Sequence, residues 1–69
     1  MTPALTSAGI THQAAAKEFE AALLVFEAAC IRGDTAILNR ATIAAHNALQ
    51  AKLDAWFCLY SVATRETEA

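Results

Sequence analysis

Apolar and polar positions follow a helical period in two long segments of this chain, separated by Gly33. Alanine is abundant in both segments, and neither contains a residue that breaks a helix. We predict helix one over residues 11–32, a turn over 33–35 and helix two over 36–63. Residues 1–69 then form one all-α domain, a two-helix antiparallel hairpin. Residues 1–10 are expected as a flexible arm or short helix, and residues 64–69 as a tail.

The turn lies within "CIRGDT", which contains the Arg-Gly-Asp tripeptide known as a cell-adhesion signal. Arg32 falls in the last turn of helix one, where a cation is favoured by the helix dipole. Gly33 tolerates the left-handed conformation that commonly ends a helix. Asp34 or Thr35 can cap the next helix by accepting a backbone N–H. We therefore interpret the tripeptide as a helix stop and start, and not as an adhesion site.

Helix one carries one stripe of larger apolar residues with a strip of alanines beside it. The stripe comprises Ala16, Phe19, Leu23, Phe26 and Cys30, and the alanine strip Ala15, Ala22 and Ala29. Polar residues mark the opposite side at Gln13, Lys17, Glu20 and Glu27. Leu24 and Ile31 fall among these polar residues, which is unusual for a free-standing hairpin.

Helix two has an apolar arc roughly 200° wide, twice the width that one neighbouring helix covers. Its small strip comprises Ala41, Ala44, Ala48, Ala51 and Ala55, and its large strip Leu38, Leu49, Leu53, Trp56 and Tyr60. Each helix therefore has one apolar strip for its mate and another left over. The sequence leaves open which strip faces inward, and the large residues could simply form the core. We expect a partner chain to bind Phe19, Leu23, Phe26, Leu38, Leu49, Leu53, Trp56 and Tyr60.

Composition strengthens the expectation of a partner. Apolar residues make up 57% of the 69 residues and charged residues 17%, and so short a chain cannot shelter that much apolar surface alone. The net charge is −2 and the five basic residues are scattered, which disfavours nucleic acid as a partner. The longest apolar stretches are too short for a membrane span, and no secretory signal precedes them. We expect a cytoplasmic protein.

The side chains that could support chemistry do not form a recognisable constellation. Cys30 should lie near the turn and Cys58 near the open end of the hairpin, roughly 35 Å apart at 1.5 Å per residue. We expect both as buried or half-buried thiols. His46 falls on the polar face of helix two, and His12 near the start of helix one. No ligand spacing or catalytic set is met, so we expect neither an enzyme nor a bound cofactor or metal.

Three dipeptides and their spacing resemble a known family. Ala22-Leu23 in helix one, Arg32-Gly33 at the turn and Ala48-Leu49 in helix two, followed by Leu53, occur at its intervals. On these residues the chain resembles the YscE/PscE-like co-chaperones of the type III secretion needle subunit. The sequence departs from that pattern at Leu24, Val25 and Ile31, where the family has polar residues.

The resemblance implies a function as well as a fold. Such a protein pairs with a larger helical-repeat chaperone, and together they keep the needle subunit soluble and unpolymerised in the cytoplasm. The alternative is a small homodimeric hairpin that acts as an adaptor or inhibitor of another protein. Such a dimer would bury the leftover apolar strip against its own copy.

Overall fold

The computed structural model describes residues 2–68, and these form two helices. Helix α1 spans Pro3–Arg32 and helix α2 spans Thr35–Glu68. The helices run antiparallel in a rod with principal extents of 52 × 13 × 13 Å. The prediction of an all-α hairpin is confirmed for this part of the chain, whereas residues 1 and 69 lie outside it.

Both helices are longer than the sequence pattern indicated. Helix α1 begins at Pro3, because Thr2 is extended and its hydroxyl oxygen accepts the Leu5 N–H at 3.3 Å. Proline suits the first helical position, where no N–H is needed. Residues 3–10 of the expected arm are therefore helical, and they continue into helix one without a break. The tail is helical as far as Glu68, and the Glu66 carboxylate accepts a hydrogen bond from the Thr2 hydroxyl.

The turn has the geometry expected from its residues. Gly33 adopts a left-handed conformation with φ 70° and ψ 21°, and its N–H donates to the Ala29 carbonyl at 3.0 Å. The Asp34 carboxylate accepts the N–H groups of Ala36 and Ile37 at 3.1 and 3.2 Å. Asp34 is therefore the cap of α2, and Thr35 is its first helical residue.

The contact between the helices is a seam in which spacings of three and four residues alternate. Helix α1 contributes Leu5, Ala8, His12, Ala15, Phe19, Ala22, Phe26 and Ala29 to this inward seam. Helix α2 contributes Leu38, Ala41, Ala45, Ala48, Lys52, Ala55, Leu59 and Val62. This heptad spacing is typical of antiparallel coiled coils.

Alanines form the centre of the inward seam. Within residues 2–68 the buried side chains are Ala8, Ala29, Ala41 and Ala55. Counting outward from the turn places Phe26 at the level of Ala41 and Phe19 at the level of Ala48, so that large side chains face small ones. The ammonium of Lys52 lies 5.1 Å from the centre of the Phe19 ring, a cation–π contact. On α1 the alanine strip therefore faces inward together with Phe19 and Phe26. On α2 the small strip faces inward at Ala41, Ala48 and Ala55, whereas its Ala44 and Ala51 are exposed.

Candidate protein interaction surface

A ridge of large apolar side chains lies along one flank of α2. It consists of Leu49, Leu53, Trp56 and Tyr60, and we call it the apolar ridge. Leu49 is half-buried beside the inward seam, whereas Trp56 and Tyr60 expose 45% and 58% of their surfaces. The ridge is positioned this way because Ala48 and Ala55 face α1, and the residue after each is turned about 100° away from that contact.

The aromatic side chains of the ridge are arranged against one another. Trp56 and Tyr60 stack with ring centroids 5.3 Å apart and planes inclined by 15°. Phe57 meets Trp56 edge-on, also at 5.3 Å. Residues four apart lie on the same face of a helix, so this arrangement follows directly from the spacing of Trp56 and Tyr60. The result is a continuous aromatic surface on the open half of the hairpin.

The structure divides the residues expected at a partner interface into two groups. Phe19, Phe26 and Leu38 belong to the inward seam and are half-buried. Leu23 lies on the flank next to that seam and is also half-buried. The apolar ridge forms the second group, and it is the more exposed one. A partner bound to the ridge would therefore contact α2 rather than the residues of the inward seam.

The cysteines are placed differently from the expectation. Both are free and exposed, so the prediction of buried or half-buried thiols is wrong. Ala29 occupies the seam, and its neighbour Cys30 is therefore turned about 100° out of it.

His46 is exposed, while His12 is half-buried within the inward seam. Over residues 2–68 there is no group of side chains able to hold a metal ion and no pocket.

A second exposed apolar surface lies on α1, and the sequence alone did not identify it as a surface. Ile10, Leu24 and Ile31 are exposed by 62%, 61% and 88% on the side of α1 that faces away from α2. The signal was the presence of Leu24 and Ile31 among polar residues. A second apolar face on one helix is difficult to recognise when the first face is itself made mostly of alanine.

Neither helix, over residues 2–68, combines the length and the apolar character that crossing a bilayer requires. Comparisons of the chain with protein-family models, with curated proteins and with solved structures find no match. The function has therefore to be inferred from the surfaces of the chain itself.

Proposed function

We propose that this hairpin is a binding protein that pairs with a larger helical-repeat chaperone and, through it, helps to keep a type III secretion needle subunit unpolymerised in the cytoplasm. The observation that supports this proposal is the exposed aromatic part of the apolar ridge. Trp56 and Tyr60 present large apolar surfaces to solvent. Side chains of this kind dominate the binding energy of protein interfaces.

The geometry of the ridge suits a docking site. The Trp56 and Tyr60 rings are already stacked, so these two side chains lose little rotational freedom when a partner binds. The indole N–H and the phenol O–H remain available to polar groups at the rim of an interface. Leu49 and Leu53 extend the same surface toward the middle of the rod. A concave surface between helices of the partner would match this convex strip.

The mode of action in this proposal is coverage of apolar surface. The hairpin shields apolar residues of the larger chaperone while its own ridge is covered in return. This role requires no nucleophile, base or metal from the hairpin. It also accounts for a chain that is 57% apolar and only 17% charged, because apolar surface is buried in the complex.

The central experiment is a pull-down after co-expression with a helical-repeat chaperone of a type III secretion system from the same organism. Replacement of a buried interface tryptophan by alanine removes a large contact area, so Trp56→Ala should weaken capture at least tenfold. Ile43→Ala is the matched control, because Ile43 is an exposed apolar residue of α2 outside the ridge. Capture by Trp56→Ala equal to that by Ile43→Ala would contradict the ridge as the binding surface.

A second measurement addresses the chaperone role itself. The needle subunit, co-expressed with both proteins, should remain soluble and of low mass with the unaltered hairpin. With Leu49→Asp in the hairpin, it should form filaments that sediment. Circular dichroism of Leu49→Asp must show unchanged helix content for this comparison to count. A needle subunit that stays soluble without any hairpin would refute the proposed function.

A further inference from the structure

Helix α1 carries a second heptad seam on its outer face. It consists of Ile10, Ala14, Lys17, Ala21, Leu24, Ala28 and Ile31, with alternating spacings of four and three residues. We call it the outer seam. All seven residues are exposed, and Ile31 is 88% exposed. The outer seam extends over most of α1.

The outer seam has the same residue pattern as the inward seam. In both, large residues alternate with alanines at heptad spacing, and at about 100° per residue the two seams lie on opposite sides of α1. Polar strips separate them. One strip contains Gln13, Glu20 and Glu27, and the other contains Thr11, Glu18 and Arg32, with the exposed Val25 between Glu18 and Arg32. On the inward side, this pattern already packs α1 against an antiparallel helix.

The outward face of α2 lacks this pattern. Ile43 and Phe57 are exposed there, but polar residues separate them. These include Arg40, Asn47, Gln50, Asp54 and Ser61. The continuous apolar seam is therefore a property of α1 alone, and not a general consequence of the alanine-rich composition.

We propose that the outer seam binds a second copy of this chain, with the two α1 helices antiparallel about a twofold axis. The seam is self-complementary in this orientation. If Leu24 lies opposite Ala21 of the second copy, then Ile31 lies opposite Ala14 and Lys17 opposite Ala28. A shift by seven residues places large residues opposite alanines equally well. Each level then contains one large and one small side chain, as in the inward seam, and two such helices can approach closely.

Charge also favours a second copy of this chain as the partner of the outer seam. Lys17 is the one charged residue within the outer seam, and the strip beside the seam carries Glu20 and Glu27. With Leu24 opposite Ala21, Lys17 lies opposite Ala28 of the second copy and next to its Glu27. In the register shifted by seven residues, Lys17 lies opposite Ala21 and next to Glu20. The symmetry repeats the contact on the other side of the axis, so each chain supplies one cation and receives one.

The elongated hairpin exposes more surface than a compact monomer of its mass. A compact monomer of 7.3 kDa exposes about 4,200 Å², whereas the hairpin exposes 5023 Å². This excess of roughly 800 Å² is spread over the whole rod, and it is comparable to what one partner contributes to an interface of standard size. Burial of the outer seam would leave the apolar ridge accessible, because the ridge lies on α2. Self-association is therefore independent of the proposed function and compatible with it.

Sedimentation or light scattering of the purified chain tests this proposal. We expect the unaltered protein to be a dimer at high micromolar concentration and Leu24→Glu to be a monomer with the same helix content. Ile43→Glu places the same charge at an equally exposed site on α2, and it should remain a dimer. A monomeric unaltered chain, or equal dimerisation by Leu24→Glu and the unaltered chain, would overturn the proposal.

Disulfide trapping tests the antiparallel arrangement. In a background with Cys30→Ala and Cys58→Ala, two single-cysteine variants are mixed and oxidised. Ala21→Cys should form a mixed dimer with Leu24→Cys in one register, or with Lys17→Cys in the other, because facing positions come within bridging distance. Either product supports the proposal. Failure of both mixtures, or a faster reaction of Ala21→Cys with Ala51→Cys on α2, contradicts it.

Discussion

At the scale of single residues, the two glycines of this chain have opposite roles. Gly33 has φ 70°, while Gly9 lies within α1 with a negative φ. A Cβ added at either position meets no atom within 4 Å. Side-chain space is therefore equal at the two sites, and backbone conformation alone distinguishes them.

Substitution of each glycine by alanine should shift stability in opposite directions. Gly33→Ala forces a left-handed alanine, which costs about 1–2 kcal/mol, so we expect the melting temperature to fall by about 5 °C. Gly9→Ala should raise it by a similar amount, since alanine is favoured over glycine inside a helix by about 1 kcal/mol. Thermal unfolding followed by circular dichroism at one protein concentration measures both. Shifts of the same sign would contradict the conformational argument.

At the scale of the helices, close approach through alanine determines the packing. Ala29 is 2% exposed, so a larger side chain there has no free volume and must push the helices apart. We expect Ala29→Leu to lower the free energy of unfolding by about 1–3 kcal/mol. Ala51→Leu is the control, because Ala51 is exposed on α2, and its effect should stay within about 0.5 kcal/mol. Urea denaturation measures both, and a neutral Ala29→Leu would show that the seam is loosely packed.

The sequence predicted the hairpin and its turn because the responsible signals are local. Gly33 and Asp34 act through their own backbone and side-chain chemistry, so their roles do not depend on the rest of the fold. The predicted start of helix one at residue 11 lies eight residues after the observed start at Pro3. Gly9 weakens the helical pattern, whereas Thr2 caps a helix that begins at Pro3 and continues through Leu5 and Ala8 of the inward seam.

The rotation of each helix about its axis could not be predicted. On α2, the alanine strip and the strip containing Trp56 are both apolar, and a hydrophobicity pattern does not state which one a neighbour covers. The choice depends on how closely two backbones approach and how many contacts they gain together, which is a property of the pair. The exposure of Cys30 follows from the same rotation, since Ala29 takes the buried position beside it.

At the scale of the whole molecule, the hairpin is a thin rod with apolar surface in two places. The apolar ridge lies on a flank of α2, and the outer seam lies on the far side of α1. A rod 13 Å across contains a single layer of contact between its helices, so the two helices of residues 2–68 cover neither surface. Both surfaces are therefore open to binding.

Small-angle X-ray scattering distinguishes the ways in which two rods can associate. The single hairpin has a Cα radius of gyration of 15.6 Å and a length of 52 Å. Pairing through the outer seam places two rods side by side, so the cross-section should widen while the maximum dimension grows by less than half. End-to-end contact between the open ends would instead extend the particle. A maximum dimension close to double that of the Leu24→Glu monomer would exclude the side-by-side arrangement and, with it, the twofold pairing of α1.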